Sequence, residues 1–409
     1  MGKGHSKRLV AKPNFNLIHD KKDLILSSKF ERGVSVWKKR FIYLCLSLFI
    51  LLGEQLNKCA LASTPIVLTP DDSKPKEYPI RAEFVLKIGS DKPNEDFYDP
   101  PSLAISKNGR IYVLDSGNGR VQCFSREGNF LFSFGRRGQG PGELSRSARI
   151  INILSDGNIY VIDNPQRRIN VYDQDGKFLY SAKTSAWYND IELLNKTYYL
   201  SSIILKENHK PIHVSRSLGK IDAEFGIFIE PAVGILKQIS QLPIPEPWRY
   251  YYHNSNFTQL IGTKKNELIF SQGFPYRLIK YDIEGKILMD IMGDVDFNTY
   301  LQVKYKVDGF GTSIITNPPG ASRVVLGMDI IKNGDQLAVP FLNPESNIFY
   351  IDNYDLDLNL ISRFKLLDRV ADIRKKEYVI QAIIDDDNNF YIVVFSEEDY
   401  PKVVKYKLL

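Results

Sequence analysis

GRIYVLDSGNGRVQCFSREGNFLFSFGRRGQGPGEL, residues 109–144, decides the fold of this chain. Ile111-Tyr112-Val113-Leu114 is a short, β-prone apolar run without the alternation of a half-exposed strand. That suits a strand buried on both faces. Asp115-Ser116-Gly117-Asn118-Gly119 then supplies residues that tolerate a positive φ, as a sharp reversal requires. Val121 to Phe124 returns as a second strand. Arg126-Glu127-Gly128-Asn129 forms another turn, Phe130 to Phe134 a third strand, and a glycine-rich exit loop follows.

The pattern returns 48 residues later as GNIYVIDNPQRRINVYDQDGKFLYSAKTS, without a gap through the second turn. Asp115 becomes Asp163, Arg120 becomes Arg168, and Gly128 becomes Gly176. A self-similar unit of roughly 40–50 residues with about four strands is the signature of a propeller blade. One such sheet cannot cover both of its faces, so blades must stack around an axis. At these residues the chain resembles the NHL-repeat proteins. The resemblance rests on the order apolar strand, Asp, Gly/Asn turn, Arg, strand, acidic-Gly turn, Phe-Leu and a G-x-G-P-G-E loop, and it covers roughly 97–184. It implies a six-bladed β-propeller used mostly as a binding platform, with some lyase and hydrolase relatives.

The remaining chain yields four further segments: a degenerate one at about 187–229, then about 257–294, 322–366 and 369–409. The expected fold is therefore all-β, a six-bladed β-propeller of four-stranded blades over residues 81–409. Arg81 to Ile88 is expected to close the ring by pairing into the last blade. Residues 63–80, rich in Pro, Asp and Lys, read as a spacer. Two long connections, 230–256 and 295–321, stand out, since long loops in a compact domain usually carry function or lack order.

The net charge of +6 belongs to the leader. Residues 1–62 hold twelve Lys/Arg against four Asp/Glu, which leaves 42 basic against 44 acidic residues in the body. A nearly neutral body argues against nucleic acid as a partner. Within the leader, Trp37-Lys38-Lys39-Arg40 precedes an apolar run at 41–52, and Ala60-Leu61-Ala62 follows. The run matches a signal-peptide core and falls short of the roughly 20 residues that span a bilayer. The reading is export to the periplasm, cell surface or medium, with cleavage before Ser63; the alternative is a membrane anchor at 41–52. A start near Val34 or Val36 would shorten the leader, and Lys58 before Cys59 disfavours a lipoprotein. Only Cys123 remains past the leader, so no intrachain disulfide can form, and it reads as a small buried hydrophobe.

No G-x-S-x-G, H-E-x-x-H, C-x-x-C or P-loop motif occurs. Past the leader only His209, His213 and His253 could supply imidazole to a metal. Asp385-Asp386-Asp387-Asn388-Asn389 offers oxygens of the kind calcium takes, but it lacks the glycine of a calcium loop and falls at a polar turn. The expectation is no cofactor, with Ca²⁺ as the metal to look for. Asp115/Arg120, Asp163/Arg168 and Arg277 recur at one position of the repeat and read as scaffold ion pairs.

Departures from the repeat say more. Trp248-Arg249-Tyr250-Tyr251-Tyr252-His253 packs five rings into six positions, and Tyr276 lies at a turn expected to open on the same face. Such rings make good binding surfaces. Arg136, Arg137 and Arg167, with Asn118 and Gln166, occupy loops on that face and would form a polar rim. These residues favour a non-catalytic module that binds a protein, peptide or glycan through one loop face. The alternative is a metal-dependent lactonase- or lyase-type enzyme with its site in the central channel.

Overall fold

A computed structural model describes most of residues 76–409, together with Ile66–Val67. Residues 1–65, 68–75, 93, 101, 203–209, 228–257, 273–275, 293–302, 309–310, 317–323, 332–333, 344–347 and 372–375 lie outside the described set. The hydrophobic leader and the aromatic run Trp248–His253 are among them.

Each repeat folds as an antiparallel four-stranded sheet, and six sheets surround one axis. The first blade runs from Ser102–Ile105 through Ile111–Asp115 and Arg120–Phe124 to Phe130–Phe134. The second follows the same course over residues 150–183, and the degenerate third is also four-stranded, over 188–225. The fourth covers 258–292, and the fifth runs from 324 to 366. The innermost position of the fifth is filled by two short pieces, Val324–Val325 and Asp329–Ile331, which both pair with Gln336–Asn343. The sixth combines Glu377–Ile384, Asn389–Ser396 and Lys402–Leu408 with the N-terminal strand Ala82–Ile88. The ring is thus closed by hydrogen bonds between the two ends of the domain, as the strand pattern predicts.

Among the described residues the apolar core is split into six clusters, one at each junction between neighbouring blades. This follows from the sequence: the middle strands IYVLD and IYVID are buried along their whole length, so each sheet needs cover on both faces. The cluster joining Ile111, Val113 and Phe124 to Tyr391, Val393 and Val403 seals the first blade against the last. Cys123 lies fully buried in the cluster between blades one and two, as a small hydrophobe does.

The segment read as a spacer is partly structured. Glu77–Ile80 pairs in parallel with the outer strand of blade five, and Ile66–Val67 with that of blade four. Both cover sheet edges that would otherwise offer unpaired backbone groups. The connection after blade four carries an antiparallel hairpin, Val303–Asp308 with Gly311–Thr316. No helix among the described residues is long and apolar enough to cross a membrane.

Candidate functional site

Strand order gives the two ends of the ring different characters. On one end lie the short turns after each first and third strand. On the other, the loop face, lie the turns after each second strand and the connections between blades. The short turns are built by side chains that cap their own backbone. Asp173, Asp282, Asp355 and Asp385 each accept N–H bonds from the residues two and four positions on. Asp385 also takes the Nδ2 of Asn389 and the Tyr391 hydroxyl. The acidic run at 385–389 is thus a self-capped turn, and its first carboxylate is engaged by donors.

The repeat arginines do not share one partner. In blade one, Arg120 Nε meets Asp115 at 3.1 Å, and Asp115 also accepts from the Tyr98 backbone and Asn118. In blade two, Asp163 accepts instead from the Ser145 backbone and hydroxyl, at 2.8 and 2.6 Å. Arg168 turns away to the carbonyls of Gln139 and Glu143. Asp163 and Arg168 therefore form no ion pair, because the exit loop supplies both with other partners. Arg277 makes a two-pronged bond to Asp290 on the neighbouring strand, at 2.8 and 2.6 Å.

The innermost strands of all six blades line a central cavity of about 280 Å³. Their edges are joined by side chains that reach to the next blade. Gln381 accepts from Leu103 N at 2.7 Å, and Asn152 donates to Asp190 at 2.5 Å and to the Ile191 carbonyl. Asp190 accepts from Leu260 N and Ile191 N, each at 2.8 Å. Two residues on, Glu192 accepts from Leu193 N and Gly262 N, and Asp329 takes Ile384 N at 2.9 Å. The surrounding strands take these charges largely out of bulk water. Burial accordingly pushes the carboxyls of Asp190 up to about 6, and those of Glu192 and Asp329 up to about 7. Glu192 and Asp329 keep some exposure to the lumen, so water reaches them although protein surrounds them. No group of three or more His, Cys, Asp or Glu able to hold a metal occurs among the described residues. His213 is buried, 3.0 Å from the Tyr188 hydroxyl and 3.5 Å from Glu224.

Of the candidate binding residues, Arg136, Arg137 and Arg167 reach the surface of the loop face. Gln166 Nε2 donates to the Gly138 carbonyl at 2.6 Å and ties the turn 164–167 to the loop that carries Arg136 and Arg137. Arg136 pairs with Glu143 at 2.6 Å. Arg137, Arg146, Arg149 and Arg167 have no carboxylate partner among the described residues, and Arg149 also lines the channel. Arg167 lies 5.9 Å from the ring centre of Trp187, which is 41% exposed. Asn118 is engaged with Asp115 and the Asp96 carbonyl. Tyr276 is not at the surface: it is buried, with its hydroxyl 2.8 Å from that of Tyr354 and 3.3 Å from Asp352, in the wall between blades four and five. Its ring is worth more packed against Phe341 than exposed. The aromatic run Trp248, Arg249, Tyr250, Tyr251, Tyr252 and His253, like His209, lies outside the described residues.

The motif search missed Trp187, Arg149 and the channel carboxylates. The acids left a trace in the alternation Asp190-Ile191-Glu192, which places both on one side of a strand. Trp187 and Arg149 left none, since nothing local marks which loop residues end up exposed on the loop face or at the channel.

Residues 99–229 match the family DUF5128, described as a 6-bladed beta-propeller. No curated protein matches the sequence. Among solved structures, a candidate exported protein of Bacteroides fragilis NCTC 9343 is similar at 14% identity and a TM-score of 0.53, over 85% of this chain and 100% of the other. A DUF4221-family member from Bacteroides vulgatus is similar at 12% identity and a TM-score of 0.50, over 82% and 99%. Virginiamycin B lyase from Staphylococcus aureus follows at 11% identity and a TM-score of 0.43, over 79% and 99%. At these identities the likeness is one of fold, and the fold that the two Bacteroides structures share with this chain is the propeller ring.

Proposed function

We propose that this protein is an exported binding module that recognises a partner through the loop face of its ring and catalyses nothing itself. The observation that carries the reading is a division of labour among charged groups. The channel carboxylates Asp190 and Glu192 have both oxygens engaged, each with at least one bond to a neighbouring blade, whereas the loop-face arginines Arg137, Arg146, Arg149 and Arg167 have no carboxylate partner among the described residues. Carboxylate oxygens that already accept bonds within and between blades have fewer lone pairs left for a metal or a substrate. Guanidiniums without a carboxylate, one of them beside the exposed Trp187, are ready for a partner. The leader pattern supports export to the periplasm, cell surface or medium, and the mass of the mature N-terminus checks it.

An array of peptides and glycans tests the binding face. Hits lost in Trp187→Ala and Arg137→Ala but kept in Glu192→Gln support the reading; hits lost only in Glu192→Gln reject it. A second reading, an enzyme of the channel, is favoured by one observation: Glu192 and Asp329, at about 7, are poised to exchange protons near neutrality. Elemental analysis separates the two, since stoichiometric Ca²⁺ or Zn²⁺ in the purified protein would favour the enzyme.

A further inference from the structure

Arg167 stands where the repeat wants glycine. The turn Ser116-Gly117-Asn118-Gly119 of blade one closes with Gly119 N donating to the Ser116 carbonyl at 2.9 Å, and Gly119 has a φ of 69°. In blade two, Asn164-Pro165-Gln166-Arg167 closes in the same way at 3.0 Å, and Arg167 is held at a φ of 51°. A side chain in this left-handed region strains the backbone, and such outliers gather at functional sites. The Arg167 guanidinium is also held in place, donating to the Ser185 carbonyl at 3.1 Å and lying over Trp187. Arg137 and Arg146 are exposed on the adjoining loop, and Arg136 is largely exposed despite Glu143.

We infer that this cluster is the reading head of the loop face and that its ligand is an acidic oligosaccharide, a sugar chain bearing carboxylate or sulfate groups. The inference rests on the binding-module reading and narrows it. Guanidiniums form two-pronged bonds to carboxylate and sulfate oxygens, and an exposed indole offers a flat apolar surface to a sugar ring. An acidic peptide would satisfy the arginines but has no particular use for Trp187.

The test uses the mature chain with oligogalacturonate, a sulfated heparin fragment, neutral dextran and poly-glutamate, followed by calorimetry. Binding to oligogalacturonate or to the heparin fragment, and not to dextran, is expected; which of the two binds identifies the acid group. Arg167→Gly is the decisive variant because glycine fits the turn. It should keep or raise the melting temperature while weakening binding about tenfold, a loss of one two-pronged contact. Trp187→Ala should weaken binding to the sugar, and Lys177→Ala, on the opposite end, should leave it unchanged. Unchanged affinity in Arg167→Gly, or poly-glutamate bound as tightly as the sugars, overturns the inference. If a neutral array ligand still depends on Trp187, the binding module stands without it; if no loop-face variant alters any ligand, both fall.

Discussion

Blades one and two carry the same Asp and Arg at the same repeat positions and use them differently. In blade one Asp115 and Arg120 bond to each other, with Asp96 as a second, exposed partner of the arginine. In blade two the exit loop intervenes: Ser145 takes the carboxylate, and the carbonyls of Gln139 and Glu143 take the guanidinium. The strands and turns superimpose as a pattern, yet the polar wiring is local. A repeat therefore specifies which side chains are available, and the neighbouring loop decides what they bond. The fifth blade gives the limiting case. There Arg363 grips Asp352 with two bonds of 2.6 and 2.8 Å, both groups are buried, and the hydroxyls of Tyr276 and Tyr354 stand 3.3 Å from the same carboxylate.

If dependence on the carboxylate follows burial of the arginine, deleting it should cost far more in blade five than in blade one. Asp352→Ala leaves a buried guanidinium without its counter-charge, and the expected loss is about 3–5 kcal/mol in urea unfolding. A cost near 1 kcal/mol would mean that the tyrosines or water take over, and the burial argument would fail. Next in size is the contrast between the first two blades. A double-mutant cycle on Asp115 and Arg120 should give a coupling of about 1–2 kcal/mol, since the carboxylate is buried and the arginine about a quarter exposed. The same cycle on Asp163 and Arg168 should give less than about 0.5 kcal/mol, because neither side chain bonds the other. Equal couplings would show that the two blades are wired alike in solution.

The channel sharpens the comparison from the other side, because its carboxylates have backbone partners and no arginine. Asp190, Glu192 and Asp329 have folded-state values of about 6, 7 and 7, above those of the unfolded chain. Between about pH 4 and 7 the folded protein thus holds protons that the unfolded chain has released. Their favourable contribution is complete below that window and is lost as pH rises through the folded values. Stability should accordingly fall from pH 5 to pH 8 by about 1–2 kcal/mol per group, after discounting for the water that reaches Glu192 and Asp329. Asp329→Asn should flatten part of that slope in a melting series. A slope unchanged by the variant would mean that the lumen solvates this carboxylate fully.

How much of this was legible follows from the same contrast. The ring was readable because Ile111 to Leu114 and Ile159 to Ile162 are apolar at every position, which suits a sheet covered on both faces, and because a strand at Arg81 to Ile88, ahead of the first repeat, suits a ring closed through its last blade. The wiring was not readable. Arg168 looks like Arg120 until the loop 135–149 is seen folded against it. Tyr276, taken for a surface ring, is drawn inward by Tyr354 and Asp352, some 76 residues or more away. Channel residues come one or two from each blade, so no spacing along the chain reveals them.

The smallest expected effect asks most of the comparison. Exchanging Arg167 for glycine makes blade two match blade one at the turn, where Gly119 already adopts the required backbone. Relief of the left-handed strain should stabilise by about 1 kcal/mol. Against this stand the lost bond to Ser185, the lost contact with Trp187 and the greater freedom of glycine in the unfolded chain. The net should lie between zero and about 1 kcal/mol in favour of glycine, a rise of at most a few degrees in melting temperature for a domain of this size. A clear loss of stability would make Arg167 a structural clamp whose strain is offset by what it holds. A gain would leave its retention unexplained by folding and point to the ligand as the reason for an arginine there.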